Sequence, residues 1–128
     1  MVLTLLQIDN QFLFSQPILK DAYEGFASVP TKNENYVTAR KKAVAFAMKN
    51  AMELAFKDLM GEEEFAVNQR DLKKIVRRTS RYVKSYRYLQ AFDDLENKVS
   101  EVILEVRFFS GAVNQALAGM GVVADPLS

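Results

Sequence analysis

The longest consistent pattern of apolar and polar positions runs from Asn35 to Met60, NYVTARKKAVAFAMKNAMELAFKDLM. With side chains about 100° apart around a helix, Val37, Ala43, Val44, Ala47, Met48, Ala51, Met52, Leu54, Ala55 and Leu59 share one broad face. Lys42, Lys49, Glu53 and Lys57 lie opposite. Asn35 can cap the start and Gly61 can end it, and the alanines would let a sheet or a second helix approach closely. Arg40 falls inside the apolar arc, where a guanidinium needs a carboxylate or carbonyls. Phe46 sits on the polar arc and Phe56 at its margin, so both are candidate contacts with another subunit or domain.

Shorter patterns flank this helix. Asp21 to Val29 alternates as a strand with Tyr23, Gly25, Ala27 and Val29 on one face and Phe26 on the other; Gly25 implies a bulge or a close backbone approach. PTKNE is the turn into the helix, and GEEEFAVNQ after it reads as a solvated acidic connection. Asn68 and Asp71 resemble a capping box for a helix over about Gln69 to Ser80, with Leu72, Ile75, Val76 and Thr79 inward. Strands near Tyr82 to Phe92 and Val99 to Phe109, joined by DDLENK, predict an antiparallel hairpin. In the first, Tyr86, Tyr88 and Phe92 share a face while Val83, Leu89 and Ala91 make a competing one, so alternation leaves open which is buried. Ser110 can cap a last helix that turns Val113, Ala116, Leu117 and Met120 inward and stops at Gly121.

These stripes predict a single α+β domain over 21–123, in the order β-α-α-β-β-α. Its three-stranded, mainly antiparallel sheet is packed by one long helix and two shorter ones. An apolar arm or extra element precedes it over 1–20, docked on the domain's own core or on a neighbouring subunit, and a mobile tail follows over 124–128. At 128 residues, 49% apolar and 26% charged, the chain is long enough for a real core.

Composition narrows the chemistry. The chain has neither Cys nor His, which excludes thiol nucleophiles, thiolate metal sites and imidazole acid/base catalysis. Its carboxylates are scattered or gathered in one turn, so a non-enzymatic protein is expected, with no cofactor and no metal. The glutamates Glu62, Glu63 and Glu64 lack the alternating ligands and glycine of a calcium loop. No segment is long and apolar enough to span a bilayer. The opening MVLTLLQI is too short for an export signal and no positive charge precedes it, so an exported form is expected to have carried its signal elsewhere.

The net charge of +1 gives no global steering, but the distribution is uneven. From Arg70 to Arg87 there are eight cations and a single acid, Asp71. Lys73, Lys74, Arg77, Arg78 and Arg81, gathered opposite the buried stripe of the predicted helix, are candidate contacts for an acidic partner or an anionic envelope surface. Cations followed by tyrosines also suit a nucleic-acid-binding module over 70–87, and the element order matches the KH type of RNA-binding domain. A KH domain, however, needs a GXXG loop between its first two helices, where this chain has MGEEEF, with three anions facing the would-be phosphates.

The blocks YEGFASV, YVTARKKAVAFAMKNAMELAF, TSRYVKSYRYL, VILEVRF and a short helix ending in GMG occur in this order over about residues 22 to 122. Together they resemble the N-terminal domain of the flagellar assembly protein T family and its relatives among small outer-membrane-associated lipoproteins. The matching positions are Gly25, Ala39, Arg40, Ala43 and Ala47, then Ser80, Tyr82, Val83, Ser85 and Tyr86. The resemblance implies a non-enzymatic domain of the bacterial cell envelope, periplasmic or outer-membrane-associated, used in protein-protein assembly or self-association. It also implies that Arg40 is architectural and fixes the long helix to the hairpin.

Overall fold

The computed structural model describes residues 19–120. The arm expected over 1–20, apart from its last two residues, lies outside the described residues, as do Gly121 and the 124–128 tail. Strand β1 (Tyr23–Pro30) leads into the long helix α1 (Tyr36–Met60), followed by α2 (Glu62–Val67), α3 (Gln69–Val76) and a 3-10 turn (Thr79–Arg81). The hairpin β2 (Val83–Asp94) and β3 (Val99–Phe108) and the helix α4 (Ser110–Gly119) complete the domain. The class is α+β, as the periodicities predict, with one short helix more.

The sheet order is β1-β3-β2, antiparallel throughout. β1 pairs with β3 from Tyr23↔Val106 to Pro30↔Val99, so Tyr23, Gly25, Ala27 and Val29 line up with Val106, Leu104, Val102 and Ser100 on the covered face. Two buried clusters share α1. In the first, Ala39, Ala43, Ala47, Ala51 and Ala55, one every four residues, lie against β1 and β3. The approach is so close that a Cβ on Gly25 would land on the Ala47 carbonyl oxygen and 2.8 Å from its carbon. Gly25 is therefore the close backbone approach that its place in the strand implies.

In the second cluster Met52, Phe56 and Leu59 meet Phe65, Leu72, Ile75, Val113 and Leu117 from α2, α3 and α4. This corrects the reading of Phe56, whose side chain is fully buried and meets no partner outside the domain. The C-terminal half of α1 buries two stripes, one toward the sheet and one toward the short helices; a single sheet-facing arc leaves Phe56 at its margin. Conversely Val37 and Leu54, read as inward, are exposed, because the sheet needs only the narrow alanine stripe.

The helix ends also differ from expectation in detail. Asn35 caps α1 by accepting from the Thr38 amide at 3.1 Å, and Gly61 ends it at φ 83°, as predicted. The acidic connection is not a plain turn. Glu62, Glu63 and Glu64 occupy the first turn of α2, where carboxylates suit the positive end of the helix dipole, and Phe65 is buried behind them. The capping box at Asn68 is absent: its Nδ2 donates back to the Glu64 carbonyl at 2.8 Å instead of its side chain accepting from α3. α3 stops at Val76, short of Ser80, and Thr79 is buried in the following 3-10 turn. Ser110 is the first residue of α4 and makes no capping bond, with Phe109 in the cap position.

Candidate functional site

β3 lies in the middle of the sheet, so β1 and β2 are its two edges, and α1 covers β1 and β3. β2 extends beyond the helix. Twelve residues long, it holds no buried residue, and Tyr86, Tyr88, Leu89 and Phe92 are each 41% to 51% exposed. Exposed large side chains concentrated on an edge strand are the feature least explained by folding alone.

The register defines which way each points. Tyr86 pairs with Val106, Tyr88 with Leu104, Ala91 with Val102 and Asp93 with Ser100, all on the side of α1. Arg87, Gln90 and Phe92 pair with Glu105, Ile103 and Glu101, on the side away from it. A register shift between Tyr88 and Gln90 separates these sets. Tyr86, Tyr88 and Phe92 therefore do not share a face as strict alternation predicts, because the extra residue of the bulge reverses the phase of everything after it. Tyr86 and Tyr88 pack edge to face with ring centroids 6.2 Å apart. Beside them a shallow cleft of about 420 Å³ is lined by Met48, Ser80, Val83, Lys84, Ser85 and Tyr86. On the far face Phe92 shares a sheet surface with Ile103 and with Phe26 of β1, itself 52% exposed.

Both ends of β2 are charged. Before it in the chain and at its start, Lys73, Lys74, Arg77, Arg78, Arg81 and Lys84 are exposed, and among the described residues only Lys74 has an ion-pair partner, Asp71 at 4.0 Å. These cations do not form the single helical face that the sequence pattern predicts. Because α3 ends at Val76, Arg77 and Arg78 lie in the turn after it and Arg81 ends the 3-10 segment. Midway, Arg87 Nε donates to Glu105 Oε1 at 2.8 Å, and Arg107 approaches the same oxygen at 3.5 Å. The Arg87 hydrogen bond, with the charge of both guanidiniums behind it, holds the Glu105 carboxyl below its ordinary range. At the far end, Asp94 accepts from the Asn97 side chain and from the Asn97 and Glu96 amides, which lowers its carboxyl pKa and closes the hairpin turn.

Arg40 finds the partners it needs. Its Nη2 donates to Asp93 Oδ1 at 2.7 Å and its Nε to Ser100 Oγ at 3.0 Å, while the buried Ser100 hydroxyl donates to the same Asp93 oxygen at 2.8 Å. This network ties the N-terminal half of α1 to both strands of the hairpin. Tyr82 is half-buried against the second cluster, while Ser85 and Tyr86 are exposed. Gly25 on β1 and Ala39 on α1 are both buried, between the helix and the sheet.

Phe46 is half-exposed, as its place on the polar arc predicts, with the Lys49 ammonium 5.6 Å from its ring. It borders a cleft lined by Val29, Pro30, Lys32 and Thr38, on the β1 side, so it shares no surface with β2. Among the described residues no group of three potential metal ligands occurs, and no helix is long and apolar enough to cross a membrane. Leu89, Phe92 and Tyr88 escape sequence reasoning as a site. The usable signal is a twelve-residue strand whose two faces are equally apolar, the pattern of a strand with no buried side.

The geometry is thus that of an α+β domain whose long helix covers one face of β1 and β3 and leaves β2 beyond it. No family model, curated protein or solved structure matches the chain.

Proposed function

We propose that this chain is a non-enzymatic assembly domain that holds another protein chain along β2, in the cell-envelope setting that the family resemblance implies, periplasmic or at the outer membrane. The observation that carries the reading is β2 itself: an edge strand whose outer backbone groups have no strand partner among the described residues, with four large apolar side chains exposed. Strand addition to such an edge takes its affinity from main-chain hydrogen bonds and its specificity from alternate side chains. The cations before β2 add steering toward an acidic partner surface. Site-specific photo-crosslinking in the producing cells tests it. A photo-reactive residue in place of Tyr88 or Phe92 is expected to give a discrete protein adduct. One in place of Val67, equally open at 79% exposure but on α2, is expected to give none. Adducts from neither β2 position would remove the reading.

A nucleic-acid-binding role is favoured by one observation, the exposed Tyr86 and Tyr88 close in the chain to Lys84 and Arg81, which have no ion-pair partner among the described residues. Stacking on tyrosines with phosphates on cations would make the affinity for single-stranded oligonucleotides fall steeply with salt and collapse on charge reversal of Arg77 and Arg78. Binding insensitive to both would exclude it.

A further inference from the structure

We propose that the occupant of the β2 edge is β2 of a second copy. The two strands would run antiparallel about a two-fold axis between Tyr88 and Leu89, joining two three-stranded sheets into one. The proposal rests on the assembly reading and names its partner.

The first argument is geometric. A two-fold axis perpendicular to the sheet keeps each face on its own side, so residues set opposite one another must already share a face. In a regular strand of twelve residues, positions equidistant from the midpoint lie on opposite faces, and full-length self-pairing is out of phase. The register shift after Tyr88 removes the mismatch from Ser85 to Phe92, and the paired stretch ends there, because a second shift between Val83 and Ser85 leaves Val83 on the α1 side and Asp94 on the far side. Tyr86 comes opposite Ala91, both on the α1 side; Arg87 comes opposite Gln90 and Ser85 opposite Phe92, all on the far side. Tyr88 and Leu89 meet across the axis and lose their exposure.

The second argument is charge. The stretch is cationic at its start and anionic at its end, so an antiparallel copy brings the cationic end, Arg81 and Lys84, beside the partner's anionic end, Asp93, Asp94 and Glu96, and does so twice. Opposed unlike charges favour a cross-strand register, and like charges directly opposite disfavour it. A parallel arrangement stacks cation on cation. The patch is therefore self-complementary in the sense that an isologous interface requires.

Sedimentation of the full chain from micromolar to millimolar concentration tests the pairing. A reversible dimer is expected, and Leu89→Lys at the axis is expected to abolish it. Arg81→Glu and Glu96→Arg are each expected to weaken it by about tenfold, since each places like charges together at two symmetric points. Mixing those two variants is expected to restore a dimer, because each supplies the sign the other lacks. All three positions are exposed, and circular dichroism confirms that the variants stay folded. Failure of the mixture to recover overturns the register. A wild-type monomer at every concentration overturns the pairing, leaving the bulges and Lys84 as devices that blunt an edge. In the crosslinking experiment an adduct of twice the chain mass supports the second copy. An adduct of any other mass overturns the second copy while the assembly reading stands, and no adduct removes both.

Discussion

The two edges of the sheet are built in opposite ways. Along β1 the side chains alternate strictly between buried and exposed, α1 lies against the strand at Gly25, and the Phe26 amide is satisfied by Asn50 Oδ1 at 2.8 Å. Along β2 nothing is buried, and among the described residues the one side-chain hydrogen bond from α1 reaches only its far end, at Asp93. The difference lies in the residues α1 presents. An alanine every fourth position permits contact with two strands and has no reach to a third, so β2 keeps its large side chains in water. Large apolar groups stabilise the first region by burial, and in the second they are free for another chain.

The sharpest way to break this comparison is to make one chemical change on both sides. Phe56→Ala removes a fully buried ring from the second cluster and is expected to cost about 3–5 kcal/mol in urea unfolding. Phe92→Ala, on the open strand, and Phe46→Ala, on the outside of α1, are expected to stay within about 0.5 kcal/mol. A large loss at Phe92 would mean that β2 is packed in solution.

Next in size is the close approach itself. At Gly25→Ala the new methyl meets backbone of α1, which cannot swing aside as a side chain would, and a loss of about 1–3 kcal/mol is expected. Gly111→Ala on α4 meets nothing within 4 Å and is expected to be neutral or slightly stabilising, since alanine is the better helix former. Equal effects at the two glycines would show that α1 can move off β1 at little cost.

The tether between the closed and open regions comes third. Arg40→Ala is expected to lower stability by about 1–2 kcal/mol, reduced from the figure for a buried charged hydrogen bond because both partners are partly exposed. Hydrogen exchange locates the loss: amides near Asp93 should exchange faster, while those of β1 stay protected. Uniform acceleration would make Arg40 a general stabiliser of the domain.

Much of this architecture is legible in the amino-acid sequence. The period of α1, its cap at Asn35 and its stop at Gly61, the faces of β1 and the hairpin all follow from local patterning. What is not legible is non-local. Arg40 shows its need for a carboxylate, but Asp93 lies 53 residues away. Phe56 looks marginal until α2, α3 and α4 are known to surround that end of α1, and α2 hides behind its glutamates because Phe65 alone anchors it. The bulge after Tyr88 is invisible to alternation, and it decides which face Phe92 occupies. The edge surface is present in the sequence as two equally apolar faces, a pattern that becomes informative once the strand order is known.

The smallest effect appears only at alkaline pH and belongs to the strand that α1 covers. The Tyr23 hydroxyl donates to Asp58 Oδ2 at 2.7 Å and accepts from the Lys20 amide. Burial foremost, and then the Asp58 carboxylate, push its pKa from the ordinary 10.0 up to about 12. A phenol held protonated in the folded state contributes stability that is fully present below pH 10 and is lost as pH rises toward 12, because the unfolded chain gives up its proton first. Tyr23→Phe has no such proton, so the stability difference between wild type and variant should shrink across that interval. The absorbance titration of the five tyrosines should lose its highest step in the variant. A wild-type titration complete well below pH 12 would mean that the lower end of β1 is open to water, and the contrast between the two edges would then hold only along the stretch that faces the alanines.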